Sequence, residues 1–207
     1  MDRNEVTLSG VMACAPRFVT ERYGERMFEG YMRVKRQSGA EDMLPLHMGE
    51  YTLARRLESI QAGVPVRVTG EIRRYKRSEE EPVKSGIAVY VRKLELGGDY
   101  GEDENRVALE GVVMKAPVHR VTPRGREVCE VVIRSTGGFK RTAAVTMLAW
   151  GNMAAWANML EVGERVRAEG RLQCRQYTGR GEDGTSYNCT AYEVSLTMLR
   201  LQEEEPE

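Results

Sequence analysis

The sequence predicts an all-β chain built from two tandem small barrels, and three observations carry that prediction. The first is an internal repeat. Asn4-x-Val6-x-Leu8-x-Gly10-Val11 returns as Asn105-x-Val107-x-Leu109-x-Gly111-Val112, and Ala15-Pro16 as Ala116-Pro117. Gly24, Glu29 and Arg33 return as Gly125, Glu130 and Arg134. Gly63-x-x-Val66-Arg67-x-x-Gly70 returns as Gly163-x-x-Val166-Arg167-x-x-Gly170, and Tyr90 and Tyr192 close the two halves. The second observation is period-two alternation of apolar residues, the mark of half-buried strands. The third is the acidic, glycine-bearing stretch 97–104, GGDYGEDE, a linker by composition. The chain of 207 residues thus divides into a domain at 1–96, a linker at 97–104, a second domain at 105–201 and an acidic tail at 202–207. A solenoid would repeat more often and with a shorter period.

The elements follow in the same order in each half. Val6 and Leu8, like Val107 and Leu109, alternate with polar neighbours and mark strand 1. Residues 27–34 and 127–134 form strand 2, after turns at Gly24 and Gly125. Ala143 to Trp150 fits strand 3. Its counterpart, Met43 to Met48, contains Pro45, which suggests an edge or irregular strand. Thr52 to Ile60 and Asn152 to Leu160 read as short helices ended by Gly63 and Gly163. Strand 4 runs from Val66 to Lys76 and from Val166 to Tyr177. A loop follows, and strand 5 ends at Leu96 and Leu201. Three strands, a helix and two strands make the order of an OB-fold, a five-stranded, partly open barrel that binds oligonucleotides or oligosaccharides. An unrelated small β-barrel or sandwich satisfies the same pattern.

Charge and composition narrow the classes. The net charge is zero, but it is unevenly spread. Residues 1–96 carry 17 Lys/Arg against 14 Asp/Glu, and residues 105–201 carry 14 against 9. The 97–104 stretch and the tail 202–207 each carry four acids and no base. Two mildly basic bodies are compatible with phosphate binding. No apolar run is long enough to span a bilayer and no signal-peptide pattern opens the chain, so a cytoplasmic protein with no membrane partner is expected. Four cysteines without CxxC spacing and two lone histidines, His47 and His119, give no metal or disulfide framework. No cofactor is expected. No P-loop, GxGxxG, GxSxG or HExxH occurs, so an enzyme is not expected.

The second half carries a resemblance. Asn105-x-Val107-x-Leu109-x-Gly111, Val121-Thr122-Pro123-Arg124-Gly125, Leu148-Ala149-Trp150-Gly151-Asn152 and the run from Val162 to Tyr177 are similar, in order, to the bacterial single-stranded DNA-binding protein family. The run from Trp150 to Tyr177 is the most specific part. The first half looks like the same domain, more diverged, with Val66 to Ile72 as its best match. The resemblance is thus to a tandem two-OB form of the family. It implies sequence-tolerant binding and protection of single-stranded DNA in replication, recombination, repair or mobile-element transfer, with replication or recombination proteins as further partners. The alternative is a primosomal or assembly scaffold whose OB-folds mainly contact protein. The family's usual unit of four OB domains implies a homodimer of this two-domain chain. The tail ends Glu203-Glu204-Glu205-Pro206-Glu207, without the hydrophobic residue that ends the family's partner-recruiting tip.

Alternation locates the candidate site. If Val145, Met147 and Ala149 face the barrel interior, Ala144, Thr146, Leu148 and Trp150 lie outside. If Leu172 and Cys174 face inward, Arg171, Gln173, Arg175 and Tyr177 share the outer face. Trp150 and Tyr177 then match the family's stacking aromatics, with Phe139 in the strand 2–3 loop as a third and Ala144 where an aromatic is usual. Arg171 and Arg175 are the phosphate-binding candidates of this half. In the first half, the run Arg73-Arg74-Tyr75-Lys76-Arg77 supplies Tyr75 for stacking and Arg73, Arg74 and Arg77 for phosphates. The counterpart of Trp150 is Met48 or His47, depending on register. Trp156, among Ala154, Ala155 and Met159, reads as core. The first half, lacking tryptophan, is expected to bind more weakly.

Overall fold

The computed structural model describes residues 2–53, 56–74, 86–101, 103–138, 141–180 and 184–202. These fall into two compact units. The first comprises Glu5–Arg73 with Ile87–Arg106; the second comprises the described residues of Met1–Asn4, Arg74–Gly86 and Val107–Glu207. The phenolic Tyr75 and the guanidinium Arg77 lie outside the described residues, as does Phe139.

In the first unit the strands are β1 (Asn4–Met12), β2 (Arg17–Arg22), β3 (Glu25–Lys35), β4 (Glu41–Gly49), β5 (Pro65–Arg74) and β6 (Ile87–Leu96). They lie side by side as β2-β3-β4-β6-β5-β1, and β1 also pairs with β3, closing a five-stranded barrel. All described pairings are antiparallel except β4 with β6, where Leu46 faces Val89 and His47 faces Tyr90. The second unit repeats this with β7 (Asn105–Val113), β8 (Val118–Val121), β9 (Glu127–Thr136), β10 (Thr142–Trp150), β11 (Arg165–Arg180) and β12 (Ser186–Leu201). Its order is β7-β11-β12-β10-β9-β8; β7 closes on β9, and β10 runs parallel to β12. This is the OB-fold, twice.

The repeated glycine of strand 1 is what closes each barrel. A Cβ on Gly10 would collide with the Arg33 carbonyl, and one on Gly111 with the Arg134 carbonyl. Only glycine lets β1 and β7 cross so near the strand that seals the barrel. The alternating apolar residues fill the interiors. Leu8, Met32, Leu46, Val68 and Val89 are fully buried in the first, and Leu109, Val131, Val145, Met147 and Val194 in the second. Each such side chain contributes roughly 1.5–3 kcal/mol of burial.

Several expectations are corrected. Among the described residues each unit keeps the predicted five-stranded barrel and adds a sixth strand outside it, because β2 and β8 form hairpins with β3 and β9. Both are almost wholly exposed, so no apolar alternation announces them. β4 is internal, between β3 and β6, despite Pro45. The helices are shorter than predicted: α1 spans Glu50–Leu53, with a 3₁₀ turn at Leu57–Ser59, and α2 spans Asn152–Ala157. In α2 the stripe facing the barrel is Ala154 and Ala157, so Trp156 sits off it and is half-buried rather than core.

Two acidic segments are anchored. Asp103 Oδ2 accepts from the Lys35 backbone N–H at 2.6 Å, and Glu104 pairs with Arg67 at 2.9 Å and accepts at its carbonyl from the Ser9 N–H at 2.8 Å. In the second unit, Asp2 accepts from Arg165 at 2.5 Å and from the Thr136 N–H at 2.9 Å. Burial pushes the Asp2 carboxyl up, but these hydrogen bonds and the Arg165 charge outweigh it and hold the group below its ordinary value.

Candidate nucleic-acid interface

The outer face of the second unit is set by register. Along β11 and β12, Arg171 stands opposite Ser195, Gln173 opposite Glu193, Arg175 opposite Ala191 and Tyr177 opposite Cys189. Leu148 on β10 stands opposite Ser195 from the other side. Because paired residues share a face, Arg171, Gln173, Arg175 and Tyr177 lie on one surface with Leu148, and Trp150 is two positions further along β10. Val145, Met147, Ala149 and Leu172 are buried inside. Trp150 is half-buried at the strand end, with the Arg126 guanidinium 5.3 Å from its ring centroid. Tyr177 has Arg175 at 5.4 Å. From Arg171 to Tyr177 is six residues of strand, roughly 20 Å, so the two aromatics mark opposite ends of an extended surface.

A polar network orders the centre of that surface. Arg171 donates to Gln173 Oε1 at 3.1 Å, and Gln173 Nε2 donates to Glu193 Oε1 at 3.2 Å. Arg175 Nε donates to the same Glu193 oxygen at 3.1 Å. Glu193 is only 3% exposed, so its charge requires these donors. Burial and the adjacent Cys189 thiol push the Tyr177 hydroxyl up to about 12. Tyr177, like an ordinary tyrosine, is a neutral phenol at physiological pH, and the shift keeps it so into the alkaline range. Neither Arg126 nor Glu193 was singled out by the sequence. Arg126 lies in a turn and Glu193 on a strand with no polar alternation, so only register brings them to the face.

The first unit differs at the same positions. Met27 pairs with Gly49 as Val128 pairs with Trp150, so the counterpart of Trp150 is Gly49, not Met48 or His47. Met48 is buried inside, and the Glu25 carboxylate fills the space that a Cβ on Gly49 would need. The last strand is also re-registered. His47 faces Tyr90 where Leu148 faces Ser195, so Tyr90 corresponds to Ser195, not to Tyr192. Tyr192 is buried on the opposite side of β12. The cause is the longer β11–β12 hairpin, which widens the offset between the halves.

Arg73 is not presented as an open phosphate ligand. It pairs with Glu71, a carboxylate 3% exposed, and lies over the Tyr90 ring at 3.4 Å. Glu71 also accepts from Arg92 at 2.9 Å. Arg74 alternates with Arg73, shares the side of the buried Ile72, and is exposed. The two described arginines of the expected cluster, Arg73 and Arg74, thus lie on two sides of β5.

A closed five-stranded barrel, with a parallel pair between its third and fifth strands and a helical segment before its fourth, occurs in both units and defines a tandem OB-fold protein. Residues 104–197 match the single-strand binding protein family. The match covers the second barrel, a little under half of the chain. The wild-type single-stranded DNA binding protein from Thermus aquaticus has a similar fold, with a TM-score of 0.76 at 20% identity over 100% of this chain and 96% of that one. A deletion mutant of the Thermus aquaticus protein gives a TM-score of 0.74 at 21% identity, over 100% and 97% of the two chains. No curated protein matches the chain.

Proposed function

We propose that this chain binds single-stranded DNA with little sequence preference and protects it during replication, recombination, repair or mobile-element transfer. The observation that carries the reading is the outer face of the second unit, where Trp150 and Tyr177 each stand beside an arginine within the residues that match the family. Bases stack on aromatic rings tolerantly of sequence, because every base has a π-face, at roughly 1–3 kcal/mol each. Arg126, Arg171 and Arg175 supply positive charge along the same surface, and a strand that contacts them releases counterions. The Glu193 network holds Arg175 and Gln173 in fixed rotamers, so less side-chain entropy is lost on binding. The second unit is the tighter binder, since Gly49 leaves the first without the equivalent of Trp150.

The test is a fluorescence titration with oligo-dT at several salt concentrations. The expected result is quenching of tryptophan emission, with an affinity that falls as salt rises. Salt-independent affinity, or none at all, refutes the reading.

A further inference from the structure

The outer face of the first unit carries more charge than its affinity is expected to reflect, and a single carboxylate accounts for this. Glu71 lies between two guanidiniums. Arg73 pairs with it from two residues along β5, and Arg92 donates to it at 2.9 Å from β6. Arg73 is itself clamped: its guanidinium lies 3.4 Å from the centroid of Tyr90, and its side chain is only 16% exposed. The three elements a single strand needs are present here: an aromatic ring and two cations. Arg73 and Tyr90 cover one another, and Arg92, though 43% exposed, is held by the carboxylate that also holds Arg73. The carboxylate stands where a phosphate would bind the arginines, and the Arg73 guanidinium sits over the ring on which a base would stack.

The second unit is built differently at the same positions. Glu71 corresponds to Arg171, and Arg73 to Gln173, at the repeat's offset of 100. The buried acid there, Glu193, accepts from one arginine and from the neutral Gln173 amide. The Arg175 and Arg126 guanidiniums stand 5.4 and 5.3 Å from the Tyr177 and Trp150 ring centroids, against 3.4 Å for Arg73 and Tyr90.

We infer that Glu71 is a latch that withholds Arg73, Arg92 and Tyr90 from single-stranded nucleic acid and thereby lowers the affinity of the first unit further than the missing counterpart of Trp150 does. The inference rests on the single-strand reading of the preceding section. It reverses the ordinary expectation for an acid buried among arginines, since removing the charge is a gain of binding. With the charge gone, two guanidiniums become available to phosphates, and Arg73 is released to swing off Tyr90. A slope of about 0.7 in log affinity against log salt per single-strand contact makes each freed arginine worth roughly fivefold at 0.1 M salt, relative to 1 M.

The test is oligo-dT binding by fluorescence anisotropy, in the full chain and in its Trp150→Ala form, with and without Glu71→Gln. Glu71→Gln is expected to tighten binding by about fivefold to 25-fold at 0.1 M salt and to steepen the salt slope by about 0.7 to 1.4. Unchanged or weaker binding by folded Glu71→Gln, while the unmutated chain binds with normal salt dependence, overturns the latch and leaves the single-strand reading standing. An unmutated chain that does not bind overturns both. Arg92→Gln is a second variant that tests the same point without disturbing the Glu71–Arg73 pair. It is expected to keep the parent's affinity and slope. A loss as large as that of Arg175→Gln overturns the latch even if Glu71→Gln does not fold.

Discussion

Replacing Trp150 with alanine separates a binding platform from a structural residue. Trp150 ends β10, pairs with Val128 across the ladder, and is half-buried, whereas its neighbour Ala149 is fully buried. Truncation therefore removes little interior volume, and its cost to stability falls well below the roughly 3–5 kcal/mol of a core Trp→Ala change. Its cost to binding is one stacked base, roughly 1–3 kcal/mol, or about a five- to 150-fold rise in Kd. Loss of the Arg126 contact over the ring adds at most about 0.5–1 kcal/mol to the stability cost. The assay is anisotropy of a labelled dT oligomer, with urea denaturation of the same preparations. Trp150→Phe keeps a stacking face and is expected to recover most of the affinity. A folded Trp150→Ala protein that binds as tightly as the parent refutes the assignment and makes Trp150 a residue of the barrel end.

Three further outcomes are expected. Arg171→Gln and Arg175→Gln each flatten the slope of log affinity against log salt by about 0.7, equally for dT and mixed sequences; an unaltered slope removes that residue from the phosphate path. Because the folded-state pKa of Asp2 is depressed, its contribution to stability is present above the unfolded value near 3.8 and is lost as pH falls through the lower folded value. Asp2→Asn is accordingly expected to cost under about 1 kcal/mol at pH 7, because Arg165 is substantially exposed, and progressively less as pH falls below 3.8; a cost that does not shrink on acidification contradicts the ion-pair account. Light scattering is expected to give twice the chain mass of 23.4 kDa, a homodimer with four OB barrels, and a monomer at micromolar concentration with and without DNA removes that proposal.

Much of the architecture is legible in the order of residues. Val6-x-Leu8-x-Gly10 and Val107-x-Leu109-x-Gly111 state both the alternation of strand 1 and the close crossing that seals each barrel, because period and glycine are local properties. The repeat makes the fold readable twice, and the outer-face positions of Trp150, Arg171, Arg175 and Tyr177 follow from the same parity. What alternation cannot supply is pairing between distant strands. β2 and β8 are nearly all exposed and carry no apolar alternation. The counterparts of Trp150 and Tyr90 depend on which residues oppose one another, and a hairpin of different length moved one of them by several positions. The roles of charge are still less local. Arg73 and Arg92 look alike in sequence to any solvated arginine, as Glu71 does to any strand acid. Only the side-by-side packing of β5 and β6 puts one buried carboxylate between two guanidiniums and an arginine over a tyrosine ring. Sequence determined where strands form and which side of each is apolar, since both are set by neighbours along the chain. Tertiary structure decided which charges are engaged, since that is set by neighbours across the sheet.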